Sequence, residues 1–129
     1  MTHVSRKKLP NKVLRQILDS FLFVLTSTKK KEEMSKFLDA FLSNTEKIML
    51  AKRLAIVFLL SEAVEETKIS ETLLVTQSTV SRIKLWYETK GSGYKIAITK
   101  LKKQKLLGEL KLLALEVARR SIRAAGGRP

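Results

Sequence analysis

Residues 66–87 read ETKISETLLVTQSTVSRIKLWY, and their apolar landmarks are Ile69, Leu73, Val75, Val80 and Ile83. Ile69 and Leu73 are four apart and share one face of a short helix; Val80 and Ile83 are three apart and share one face of a second. Val75 falls between the two segments, where it plugs the angle they make. Ser70 is small at the point where two steeply crossed helices must approach closely. Thr76 can cap the second helix through its hydroxyl, which puts Gln77, Ser78 and Thr79 in the first turn. The pattern predicts a helix-turn-helix whose second helix spans 76–87. In that motif the N-terminal residues of the second helix are aimed at base edges in a major groove.

One position strains the pattern. Many such turns carry glycine after the last apolar residue of the first helix, because the backbone there prefers the left-handed region. Here that residue is Leu74. Positive φ costs a leucine about 1 kcal/mol or more, so the sequence predicts either a reshaped turn or a slightly longer first helix.

The 129 residues suit one domain, and 44% hydrophobic content fits a folded core. There is no cysteine, which excludes disulfides and thiolate metal sites. The longest apolar run, residues 54–60, is far short of a membrane span, and the N-terminus lacks the apolar segment of a secretory signal. A cytoplasmic, bacterial nucleoid-associated location is the expectation. Charge is the dominant global property: 26 Lys and Arg against 12 Asp and Glu give +14. Such an excess attracts polyanions, of which nucleic acid is the most abundant in a cytoplasm. Residues 44–66 hold three basic and four acidic side chains, so the basic excess belongs to the motif and to both ends.

Taken in order, residues 1–12 form a basic arm with Arg6, Lys7 and Lys8. After Pro10, the residues Val13, Ile17, Phe21, Val24 and Leu25 recur at helical spacing. The run 21–25 is apolar on too many sides for a surface helix, and a dimer interface would bury the surplus. A second helix starts at 31–33 with Met34, Phe37, Leu38, Phe41 and Leu42 on one face. Thr45 is placed to cap a third, whose face is Ile48, Ala51, Leu54, Ala55, Phe58 and Leu59. After the motif, TKGSG at 89–93 predicts a break, and residues 94–101 resume a helix on Ile96, Ala97 and Leu101. Leu106, Leu110, Leu113 and Val117 then recur as a coiled-coil seam able to meet a partner helix. Strand signals are absent, so the expected fold class is all-α.

The order of elements and several motifs resemble the Trp repressor superfamily, especially its bacterial TrpR/YerC/YecD branch. The residues that carry the resemblance are Ser43, Asn44, Thr45 and Glu46 with AKRLAIVFLL at 51–60, STVSR at 78–82, and GSGYKIAITKL at 91–101. It covers residues 13–101, with the basic helix and tail 102–129 beyond it. What it implies is an intertwined helical homodimer with two helix-turn-helix readers facing successive major grooves, plus an extra C-terminal helix in this chain. It also implies a small-molecule pocket. The arginines that embrace the tryptophan corepressor match Arg53 and Arg82, and Ser43 stands where a threonine helps. An arginine pair suits an amino-acid carboxylate, whereas Ile83 and Trp86 stand where small residues would admit an indole. Those side chains are expected to fill the pocket, leaving no cofactor, or an effector other than tryptophan.

The expected function is a sequence-specific, double-stranded DNA-binding transcriptional regulator acting as a repressor. Gln77, Ser78 and Ser81 are the expected base readers, since glutamine can address adenine bidentately. Lys52, Thr67, Arg82, Lys84 and Lys90 are the expected phosphate contacts. The competing reading is a structural protein that coats DNA or RNA through charge. A third is an adaptor working through the C-terminal seam. Catalysis is not expected: His3 is the only histidine, and Glu32, Glu33, Glu65 and Glu66 read as helix-start or solvated residues, leaving no ligand set for a metal.

Overall fold

The computed structural model describes residues 7–104 and 109–116. Six helices follow one another: α1 Asn11–Ser27, α2 Lys31–Phe41, α3 Asn44–Ser61, α4 Glu66–Leu73, α5 Gln77–Thr89 and α6 Gly91–Leu101. Residues 109–116 are also helical and are called α7 below. No strand occurs among the described residues, and the fold is all-α. The chain divides into two compact units, one up to Met49 and one from Leu50 onward.

In the first unit α1 begins directly after Pro10, whose fixed φ suits a helix entry. It ends where the Thr26, Ser27 and Thr28 hydroxyls turn back onto the carbonyls of Leu22, Phe23 and Val24, at 3.0, 2.6 and 2.7 Å. Those bonds give the last carbonyls side-chain partners, so no further turn is needed to satisfy them. No α1 residue is buried, and eight large apolar side chains between Val13 and Val24 are exposed. Phe37 and Phe41 of α2 stack at 5.0 Å, and Phe21 joins Phe41 at 5.4 Å. Lys47 closes the α2–α3 corner on Asp39 at 2.6 Å.

The third helix is capped two residues earlier than expected. Ser43, not Thr45, is the cap: its Oγ accepts from the Glu46 N–H at 3.1 Å, while its own N–H donates to Glu46 Oε1 at 2.8 Å. This is the reciprocal Ser-x-x-Glu box, which satisfies two otherwise orphaned donors and puts Thr45 inside the first turn. The Ser43 backbone bond, reinforced by its hydroxyl, holds the Glu46 carboxyl below its usual value.

The second unit is built around the end of α3. Ala55, Ile56, Val57, Phe58 and Leu59 are consecutive and all buried, so this turn and a half is covered on every side. Ile69 of α4, Val80 and Ile83 of α5, Ile98 of α6 and Ala114 of α7 complete the core. The apolar face expected for α3 is therefore corrected: Ile48, Ala51 and Leu54 are exposed in the single chain. Helix α3 ends at Ser61, Ala63 in the turn after it takes φ 60°, and the Val64 N–H reaches back to the Leu59 carbonyl at 3.0 Å. Val64 then packs on the core, the apolar contact that accompanies this type of helix stop.

Two further expectations change. The break predicted over 89–93 is confined to Lys90, and Gly91, Ser92 and Gly93 form the first turn of α6. Glycine costs about 1 kcal/mol in a helix, and packing of Tyr94, Ile98 and Leu101 on the core outweighs it. That stripe replaces the expected one: Ile96 is 64% exposed. In α7 the inward residues are Leu110 and Ala114, so Leu110 belongs to this chain's own core and Leu113 points outward. Leu106 and Val117, the other seam positions, lie outside the described residues. Lys111 meets Glu62 at 3.7 Å, which ties α7 to the end of α3. Among the described residues no helix is long and apolar enough to cross a membrane.

Candidate nucleic-acid interface

Helices α4 and α5 form the helix-turn-helix, and the turn between them is neither reshaped nor absorbed into α4. Leu74 adopts the left-handed conformation, φ 55° and ψ 52°. Its N–H and that of Val75 both return to the Ser70 carbonyl, the latter at 3.1 Å. The Lys52 ammonium reaches the Leu74 carbonyl at 3.4 Å, and Val75 packs on the core. Thus burial of Val75 and three backbone contacts offset the cost of a leucine where glycine would be unstrained. The Leu74 side chain itself is 82% exposed and gives nothing back. Leu74→Gly is expected to raise unfolding stability by about 0.5–1 kcal/mol, the left-handed penalty less the extra chain entropy of glycine. Chemical denaturation of the two proteins measures it; a loss of stability would show that the leucine side chain has a packing role.

Beyond the turn, Thr76 caps α5 as its position in the sequence indicated. Its Oγ1 accepts from the Thr79 N–H at 3.1 Å and lies 3.1 Å from Ser78 Oγ and 2.8 Å from Thr79 Oγ1. Val80 and Ile83 point into the core, which leaves Gln77, Ser78, Ser81 and Arg82 exposed. Ser70 is buried under the crossing, its hydroxyl donating to the Thr67 carbonyl at 2.9 Å.

The expected contact residues are less independent than the sequence suggested. Gln77 Nε2 donates to Thr67 Oγ1 at 3.4 Å. Ser81 Oγ donates to Glu66 Oε1 at 2.8 Å, and Lys84 Nζ meets Glu66 Oε2 at 3.1 Å. Those two donors hold the Glu66 carboxyl below its usual value, with the Ser81 bond the larger influence. Glu66 is thus no mere solvated helix-start residue. The readable signal was a carboxylate opening the first helix opposite a serine and a lysine three apart on the second. Glu65, by contrast, pairs only locally, with Lys68 at 2.9 Å. Lys90 is exposed at the junction of α5 and α6.

Of the residues expected around a small-molecule pocket, Ile83 lies in the core and Trp86 packs against it. The Arg53 guanidinium lies over the Trp86 ring, 5.4 Å from its centroid, a cation–π geometry. Arg82 is exposed on α5. Ser43 belongs to the first unit and is engaged in its capping box.

The family model described as Trp repressor protein matches residues 16–102, from within α1 to the end of α6. The chain belongs to the Trp repressor family. No curated protein and no solved structure matches it. Members of the Trp repressor family are DNA-binding transcriptional regulators rather than enzymes, and they typically act as dimers. The matched segment contains both helices of the helix-turn-helix, α4 and α5, and ends before α7. Among the described residues no group of three or more acidic or histidine side chains could hold a metal ion.

Proposed function

We propose that the protein is a sequence-specific repressor that binds double-stranded DNA as a homodimer through α5. The observation that carries this reading is the first turn of α5. Thr76 fixes it, Val80 and Ile83 anchor it, and Gln77 and Ser78 face outward where base edges would lie. Gln77 is the main base reader, oriented by Thr67, with Ser78 and Ser81 beside it. Lys52, Arg82 and Lys90 supply phosphate contacts that fix register. Two readers related by a two-fold axis require a near-palindromic site with half-sites about 34 Å apart.

Selection from a random duplex library at near-physiological salt tests this directly. An inverted repeat with one-turn spacing is expected. Gln77→Ala is then expected to relax preference at one position of each half-site by about 1–3 kcal/mol while leaving the salt dependence unchanged. Unaltered preference would remove Gln77 as the reader. Retained duplex with no enriched sequence would favour the charge-driven coating protein, for which the +14 net charge is the supporting observation.

Binding needs no effector in this reading. The Arg53 guanidinium is already stacked on this chain's own indole, and Ile83 fills core space. The selection repeated with tryptophan present is expected to return the same operator at the same affinity; a shift in either would show an effector site in use.

A further inference from the structure

Gln77, Ser81 and Lys84 succeed one another at spacings of four and three, so they form one stripe along α5. The first two residues of α4 lie against that stripe: Thr67 holds Gln77, and Glu66 holds both Ser81 and Lys84. One carboxylate therefore uses both oxygens on the helix that faces DNA. Ser78 and Arg82, four apart, make the neighbouring stripe and are exposed. A regulator with 26 basic side chains has no shortage of attraction to phosphate. Its difficulty is the opposite one, since affinity for any duplex competes with affinity for the right one. A carboxylate paired with Lys84 reduces the first kind of affinity, while its other oxygen orients Ser81.

We propose that Glu66 is a specificity-determining positioning residue: it fixes α5 against α4 through Ser81 and withholds the Lys84 charge from the phosphates. The proposal rests on the reading of α5 as the DNA-contacting helix. It corrects the simpler assignment of Lys84 as a phosphate contact. While Glu66 is ionised, Lys84 is paired at 3.1 Å, and a duplex gains no counterion release from it. Loss of the carboxylate frees one cation per protomer and removes a negative charge that phosphates would otherwise approach within a Debye length.

The test measures affinity against salt concentration for the full chain, on a random-sequence duplex and on the selected operator. Glu66→Gln is expected to bind the random duplex several-fold more tightly and to steepen the log–log salt slope by about 0.9 per protomer. Discrimination between operator and random duplex is expected to fall several-fold. Lys84→Ala alone is expected to leave the slope unchanged, and the double variant Glu66→Gln with Lys84→Ala to return it to the wild-type value. Ser81→Ala, which keeps the charge pair, is expected to weaken operator binding through the lost base contact while leaving the slope on random duplex unchanged. A wild-type slope in a folded Glu66→Gln variant would overturn the proposal. So would a slope flattened by about 0.9 in Lys84→Ala, because Lys84 would then engage phosphate despite Glu66. Absence of any selected operator would remove the sequence-specific function instead, while the slopes on random duplex still decide the role of Glu66.

Discussion

Replacing Ile69 by alanine is expected to cost about 2–5 kcal/mol of unfolding stability and to abolish operator binding with it. Ile69 is fully buried, and together with Ser70 it is the only buried part of α4. An eight-residue helix has no stability of its own in water, so tertiary contact must hold it. The same contact sets the crossing with α5, because Val80 and Ile83 belong to the core that Ile69 completes. A cavity at this point loosens α5, the proposed reader, and its support at once. For a domain whose total stability is about 5–15 kcal/mol, the change is a large fraction. Urea denaturation followed by circular dichroism gives the cost, and a shift under about 1 kcal/mol would show that α4 is anchored elsewhere. Hydrogen exchange separates the modes of failure: protection lost first in α4 and α5 means local detachment, and uniform loss means global unfolding.

How far the sequence could be read depended on whether a local rule met a competing one. The motif was legible because its signals agree: Ile69, Leu73, Val80 and Ile83 at helical spacing, Ser70 at the crossing, and Thr76 at the cap. Leu74 was misread because local preference opposes the observed conformation, and the compensation comes from Val75 burial and the Lys52 contact. Gly91 and Gly93 were misread for the same reason, since α6 is held by Tyr94 and Ile98 rather than by propensity. The cap of α3 was misplaced because Ser43 and Thr45 are both suitable residue types, and only the reciprocal bond from Glu46 decides between them. At Leu110 heptad spacing misleads, because this residue turns to the core with Ala114, a small residue that apolar pattern reading passes over. The candidate site was legible in residue type and not in connectivity. Gln77, Ser78 and Ser81 were recognisable as polar residues on the outer face of α5, but the links of Gln77 to Thr67 and of Ser81 and Lys84 to Glu66 span 10 to 18 residues, beyond the three- and four-residue spacings that helical periodicity offers.

Phe23→Glu is expected to turn the protein from dimer to monomer and to weaken operator binding by about 10²- to 10⁴-fold, while helix content is retained. In the single chain Phe23 is 69% exposed, and Val13, Leu14, Ile17, Leu18, Phe21, Leu22 and Val24 of the same helix are exposed with it. Were α1 a solvent-facing helix, glutamate in place of phenylalanine would be neutral or helpful, because it is the better helix former and removes apolar surface from water. Were α1 the interface of the proposed homodimer, the same change would bury an unpaired carboxylate in apolar surroundings on both protomers, a cost of several kcal/mol each. The two situations thus give opposite signs from one substitution. Eight large apolar residues on one helix make a contiguous patch that monomeric soluble proteins rarely leave in water. Analytical ultracentrifugation at micromolar concentration reads the assembly state, and titration of the selected operator reads the binding. A Phe23→Glu protein that remains dimeric with wild-type affinity would place the interface elsewhere. A monomer that loses the operator yet still retains random duplex would tie sequence specificity to the pairing of two readers, since one α5 contacts only half of a palindrome.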